Sequence, residues 1–531
     1  MLKSIGIKNF RSLKNTCIGE KEVVDLKPLT MLLGKNSSGK SSFLRLFPLL
    51  KQSVSARTRG VLSFFGDEVD FGDFDTTVSH EKGDKQNEFI EFDFCGSLDK
   101  FSNSYSYLSR RIESSKGIEK VLVPYEVNIR IQFDKKQDIS YISLFSLKIY
   151  GNTITFSLNK EGDVKTFFVN KKNYIKELEN IRVHYGLRRL GFPYFVEGYD
   201  NESLSGPFCK LIKEENGNLD HIVFFEIEPF LECSLDTKEN MRKYFSKKRT
   251  SSKKKSHEIL KRVVGDDGLF DEFYDKFILF RFEGLYESVI NDLCEIFLNV
   301  SYSKPLRANA DRYYRNRFLS ANELNSDGSN LVDYFVNLSE SQQKDLENWL
   351  KENFGFWYSI EKSEGHKSIY IHEKDDVMHN ITDMGFGFSQ ILPVVTQLWG
   401  LIKNKKPQRN YRVPKINYIY AIEQPELHLH PAMQCKLFNS IAKVINVAKQ
   451  QNLEINFVIE THSETIINQI GRLIRKNEKN KERKDGISKE DVSVLIFSKN
   501  TPDSFTEIHS SPFDEKGLLT QWPIGFFGED D

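Results

Sequence analysis

Hydrophobic spacing changes character several times along the chain. Between residues 2 and 33, Ile5, Ile7 and Phe10 begin one short strand-like group. Leu29, Met31, Leu32 and Leu33 form a second, which ends at Gly34. Helical spacing follows, from Ser41 through Phe43, Leu44, Leu46, Phe47, Leu49 and Leu50. Strand, glycine turn and helix are predicted in that order. From about 88 to 170 the segments EFIEFDFCG, YEVNIRIQFD, YISLFSLKIYG, TITFSLN and KTFFVN alternate or are β-rich, with polar turns between them. They predict an antiparallel β-lobe. The 172–300 stretch mixes HIVFFEIEPF with the helical EFYDKFILFRFEGLYESVINDLCEIF, and from 301 onward short strands alternate with helices. No internal repeat and no sustained heptad pattern is present, so long coiled-coil arms are not expected.

Composition narrows the class. The 531 residues are ample for two to four lobes. Lys+Arg and Asp+Glu both number 75, so no global basic field draws the molecule to nucleic acid, and any such contact needs a local patch. One candidate is the Lys/Ser-rich run KKRTSSKKKS at 247–256, which also reads as a solvated loop. The six cysteines show no C-x-x-C spacing, which argues against a disulfide framework and a zinc site. The alternating start MLKSIGIKNFRSL is unlike a signal peptide, and no stretch is long and apolar enough for a membrane span. A cytoplasmic protein with no membrane partner is expected.

Four motifs carry chemistry. Gly34-Lys35-Asn36-Ser37-Ser38-Gly39-Lys40-Ser41 matches G-x-x-x-x-G-K-[ST], the Walker A phosphate loop, with Ser42 continuing into the helix. Its glycines let successive N–H groups face an anion, and the helix start adds positive potential. Lys40 is placed to reach the β- and γ-phosphates of ATP and Ser41 to ligate Mg²⁺. The apolar strand ending at Glu423 reads as a Walker B element with Glu423 as a second Mg²⁺ ligand. Gln424, Pro425 and Glu426 follow, then His428 and His430, whose pairing lacks the further ligands a metal site needs. A third strand, Phe457–Glu460, leads to Thr461 and His462, and His462 is a candidate γ-phosphate sensor. Upstream, Gly385, Gly387, Ser389 and Gln390 precede the apolar helix ILPVVTQLW and form a second anion cradle.

This order of motifs resembles the ABC-type ATPases of the overcoming-lysogenization-defect group, in the branch with an extra C-terminal module. GDEVDFGDF (66–74), KPLRANADRYY (304–314) and LLTQWPIGFFGED (518–530) fit that branch. It includes the PtuA-type ATPase subunits of Septu and certain retron anti-phage systems, which partner a separate HNH nuclease. The resemblance implies an α/β fold: an ABC-type ATPase head, a mixed β-sheet with flanking helices, carrying a β-rich lobe and a helical insertion. Expected divisions are 1–87 and 301–475 as the two halves of the head, 88–300 as the insertion, and 476–531 as the C-terminal module. It also implies a head-to-tail dimer or higher oligomer, with ATP on the phosphate loop of one subunit covered by Gly385–Gln390 of another. Arg307 and Arg312 become candidate phosphate or interface residues.

Two departures qualify the resemblance. Gln424 stands where a catalytic glutamate is usual, and an amide cannot accept a proton as a general base. Slow hydrolysis is therefore expected, with Glu426 or His462 positioning the water. Gly385 stands where the signature commonly has a hydroxyl, and Gln52 is the nearest, though poor, candidate for the glutamine loop. The 69 residues after His462 contain no D-x-D and no H-N-H constellation, so no nuclease active site is expected in this chain. The leading reading is an ATPase that oligomerises and controls a separately encoded nuclease in anti-phage defence, with DNA or a retron RNA/DNA as further partners. The alternative is a stand-alone DNA-binding or DNA-repair ATPase using 243–255 and the run from Arg472 to Lys484; a transporter motor is disfavoured.

Overall fold

The computed structural model describes residues 2–56, 60–79, 89–99, 122–178, 182–185, 193–196, 236–247, 261–315, 321, 323–373, 377–403, 417–451, 453–479, 487–501 and 504–521. HIVFFEIEPF, 248–256 of the Lys/Ser-rich run, 480–484 of the later basic run, and 522–530 of the C-terminal motif lie outside them. The chain divides into two compact units that interleave in sequence.

The first unit comprises Met1–Asn9, Ser53–Phe65 and Phe71–Glu295. Its core is an antiparallel series in which Leu2–Lys8 pairs with Ile90–Asp99. Leu122–Asp134, Ile139–Ile149, Asn152–Leu158, Val164–Val169 and Lys172–Asn173 follow as a meander. Alternate residues of Leu122–Asp134 are buried, the period-two signature of a sheet with one dry face. That face meets aromatic side chains of the long helix Asp267–Leu298: Phe145 packs on Tyr286, and Phe156 and Phe167 pack on Phe282. The expected β-lobe is therefore present. It also recruits Leu2–Lys8, which the sequence division had placed with the phosphate loop, because strand pairing with a remote segment leaves no mark on local spacing.

The second unit comprises Phe10–Gln52, Gly66–Asp70 and Ile296–Asp531. Its six-stranded sheet runs Val300–Ser303, Asn417–Glu423, Glu454–Glu460, Leu29–Gly34, Val492–Ser498, Glu507–Ser510. The first five strands are parallel and the last is antiparallel. The inner strands are buried nearly throughout, as expected where helices cover both faces. Helices Phe386–Lys403, Pro431–Gln450 and Glu464–Lys479 supply much of that cover. Two features of this sheet position the site. Glu454–Glu460 lies between the phosphate-loop strand and the strand ending at Glu423. Val492–Ser498, from the segment read as a separate module, lies on the other side of the phosphate-loop strand.

Candidate functional site

Leu29–Gly34 delivers the chain into a loop that turns three times through positive φ, at Gly34 (142°), Ser37 (61°) and Gly39 (103°), before the helix Lys40–Leu44. A Cβ on Gly34 would sit 2.1 Å from the Phe497 carbonyl oxygen, and one on Gly39 2.5 Å from Thr506 Oγ1. Both positions therefore require glycine. Thr506 braces the loop from outside: its hydroxyl donates to Ser38 O at 2.7 Å and its N–H to Ser12 O at 2.8 Å. Neither Ser12 nor Thr506 was legible in the sequence, because isolated hydroxyls in polar segments form no pattern. Asn36 and Ser37 are exposed. Ser38 is buried, and its Oγ has no hydrogen-bond partner among the described residues.

Lys40 is buried beneath the loop and donates to Gly34 O and Lys35 O, each at 2.8 Å. Burial lowers its pKa, and the Glu460 charge 3.8 Å away opposes that shift. The Ser41 hydroxyl bonds Glu460 Oε2 at 2.7 Å, and His462 Nε2 lies 3.9 Å from Glu460 Oε1. Burial alone would raise the Glu460 pKa, but its neighbours His462, Ser41 and Lys40 outweigh burial and hold it below the ordinary value. Glu460 was read in the sequence only as the end of a strand. Its acidic character was visible, but its place beside Ser41 depends on strand order.

Glu423 occupies the carboxyl end of the next strand, in register with Glu460. Both its oxygens are engaged: Arg45 Nε and an Nη donate at 2.7 and 2.8 Å, and Tyr302 Oη donates at 2.6 Å. The Arg45 pKa is raised chiefly by this hydrogen bonding, and that of Tyr302 chiefly by burial, with the Glu423 charge adding to it. Gln424 turns the chain through φ 42°, its N–H donating to Glu460 O at 2.8 Å. Glu426 Oε1 accepts the His462 N–H at 2.7 Å. Burial pushes the Glu426 carboxyl up.

Arg307 is 5% exposed; its Nε and one Nη have no partner among the described residues, and the other Nη makes a 3.4 Å contact with Glu423 O. Its backbone N–H and carbonyl are clasped by the Gln390 side chain at 3.2 Å each. Gln390 therefore faces inward, and the Ser389 hydroxyl is turned onto Phe386 O. Gly385 and Phe386 are the exposed members of that turn, and Gly387 is half-buried. Arg312 pairs with Asp383 just ahead of it. Gln52 is spent structurally: it is buried, accepts from Val69 N–H and donates to Val69 O. His430 caps the helix Pro431–Gln450, accepting from Ala432 N–H, while His428 is exposed.

Three carboxyl strand ends and a phosphate-loop fold thus converge on Lys40, Ser41, Glu460, His462, Glu423 and Glu426. A model of the AAA ATPase domain matches residues 1–467 of the 531. The chain belongs to the AAA ATPase domain family. This AAA ATPase also matches, over residues 487–531, a family described as Protein of unknown function (DUF3696). No curated protein matches it. Among solved structures it is similar to an Smc head domain with an extended coiled coil, bound to the C-terminal domain of ScpA, from Pyrococcus furiosus. That match has TM-score 0.34 and 10% identity, over 96% of each chain. A second is an Smc head domain with a coiled coil and joint from Pyrococcus yayanosii, with TM-score 0.34 and 11% identity over 97% of this chain and 98% of that one.

No group of three or more His, Cys, Asp or Glu among the described residues could cage a metal ion alone. Mg²⁺ needs no such cage, because it is commonly held by one or two carboxylates with substrate phosphates and water. The oxygen donors at Ser41 and Glu460 fit that requirement. No helix among the described residues is long and apolar enough to cross a membrane.

Proposed function

We propose that this AAA ATPase binds Mg·ATP on the Gly34–Ser41 loop and uses the bound nucleotide to control assembly with a separately encoded effector. The observation that carries the reading is the three-fold φ inversion around buried Lys40, opposite the carboxyl ends of two acidic parallel strands. Lys40 neutralises the β/γ-phosphates, backbone N–H groups of Asn36 to Ser42 cradle them, and the unfilled donors of Arg307 face the developing γ-phosphate charge. Mg²⁺, when bound, would be held beside the Ser41 hydroxyl and a strand-end carboxylate and would supply neutralisation of phosphate charge. His462 and Glu426, joined through the His462 N–H, orient the attacking water. Gln424 offers no general base, so occupancy by ATP outlasts turnover.

A second copy supplies the cover. The turn at Gly385–Gly387 of one cytoplasmic subunit, exposed at Gly385 and Phe386, caps the nucleotide of another, and the closed dimer presents a surface to a nuclease, in the manner the Septu-like resemblance implies for anti-phage defence. Two measurements test this together. In sedimentation velocity, ATP is expected to convert wild-type protein to a dimer or larger species. When the protein is co-expressed with its neighbouring genes, a nuclease is expected to co-purify. Unchanged sedimentation with ATP, together with purification alone, would sink the proposal.

A further inference from the structure

We infer that Thr506 is a positioning residue for the phosphate loop, and that through it the segment matched to the family of unknown function is part of the ATP site. The inference rests on the proposed binding of ATP to Gly34–Ser41 and names a residue that sets the shape of that loop. The match to the AAA ATPase domain ends at residue 467, and the second match begins at 487. Yet the loop is gripped at both its ends from beyond residue 487. At the entry, Val492–Phe497 pairs in parallel with Leu29–Gly34, and the Phe497 carbonyl oxygen leaves room only for a glycine at position 34. The Phe497 ring also packs on Phe43 of the helix after the loop, with centroids 5.8 Å apart. At the exit, the hydroxyls of Thr506 and Ser12 close on Gly39.

The exit contact is a chain of hydroxyls with a fixed direction. Thr506 Oγ1 donates its one hydrogen to Ser38 O at 2.7 Å, so the Ser12 hydroxyl, 2.9 Å away, is the donor to Thr506. The Thr506 N–H returns to Ser12 O at 2.8 Å and fixes the threonine backbone as well. A planar trans peptide carries its C=O and the following N–H on opposite edges. Holding Ser38 O on Thr506 therefore aims the Gly39 N–H the other way, toward the side a phosphate takes in the proposed complex. Glycine makes the opposite setting of that peptide sterically cheap, and that setting would turn a carbonyl oxygen toward the anion. Thr506 is buried, so water does not readily replace the bond it makes. The strut keeps the loop in the form that binds, and a loop free to leave that form binds with an affinity reduced by the fraction that remains competent.

The test is isothermal titration of the full chain with ATP and with ADP, beside urea melts of each variant. Thr506→Val keeps the branched shape and loses the hydroxyl. It is expected to bind both nucleotides about 3–10-fold more weakly, the scale of one hydrogen bond lost from the ordering of the loop. Thr506→Ser returns a hydroxyl and is expected to recover most of that loss. Ser12→Ala is expected to weaken binding by itself and to cost nothing further in the Thr506→Val background, because the two hydroxyls form one chain. Thr506→Val with lower stability but wild-type affinity for both nucleotides would overturn the inference, as would Thr506→Ser binding no better than Thr506→Val. If Thr506→Val fails to fold by circular dichroism, Ser12→Ala carries the same test, and unchanged affinity there overturns the inference. Wild-type protein that binds neither nucleotide would overturn the underlying reading instead.

Discussion

At the scale of single residues, the site holds polar groups whose costs identify their use. A buried guanidinium with two donors unfilled among the described residues, as at Arg307, is unfavourable in the ligand-free protein. Arg307→Met is therefore expected to raise unfolding stability by about 1–3 kcal/mol without nucleotide while weakening ATP binding. Chemical denaturation and ATP titration on the same preparation read both effects; lower stability with unchanged ATP affinity would show Arg307 to be structural. Gln424 gives a gain-of-function test. Gln424→Glu restores a proton acceptor at the end of the Glu423 strand, and kcat for ATP hydrolysis is expected to rise on the order of 100-fold. An unchanged rate would place the water elsewhere, with Glu426 and His462 the remaining groups to remove.

At the scale of elements, local pattern and remote pairing contributed differently. The strand–loop–helix around Gly34 and the β-rich segments from Ile90 to Asn173 were legible because periodicity and glycine placement are local properties. The position of Glu454–Glu460 beside the phosphate-loop strand, the bracing of Ser38 by Thr506, and the pairing of Leu2–Lys8 with Ile90–Asp99 are contacts across tens to hundreds of residues. A single sequence carries no periodic trace of them, and they decide which carboxylate faces Ser41. Within the β-meander, Glu91 offers a pH test. Burial would raise its pKa, but Asn128, Arg130 and Lys8 outweigh burial and hold it below the ordinary value. A depressed carboxylate stabilises the fold above its unfolded pKa of about 4.3, and that stability is lost as pH falls through the lower folded value. Glu91→Gln is expected to be less stable than wild type at pH 7, with the gap closing as pH falls below about 4. A gap that is constant across urea melts from pH 7 to pH 3 would rule out the ion pair as its source.

At the scale of the whole molecule, the chain crosses between its two units several times. Phe10–Gln52, with the phosphate loop, is flanked in sequence by strand Leu2–Lys8 and segment Ser53–Phe65 of the β-rich unit. Such interleaving means that the loop and the β-rich unit are joined by short chain segments on both sides, a covalent route by which nucleotide state can be felt outside the ATPase sheet. The proposed role as a control element, with Gln424 slowing turnover, uses that connection. The proposed function requires ATP on the Gly34–Ser41 loop, and equilibrium dialysis of radiolabelled ATP against wild-type and Lys40→Ala protein tests that occupancy most directly. Saturable binding of about one ATP per chain in the wild type, abolished in Lys40→Ala with unchanged circular dichroism, is the result predicted. Equal ATP affinity in the two proteins would contradict it.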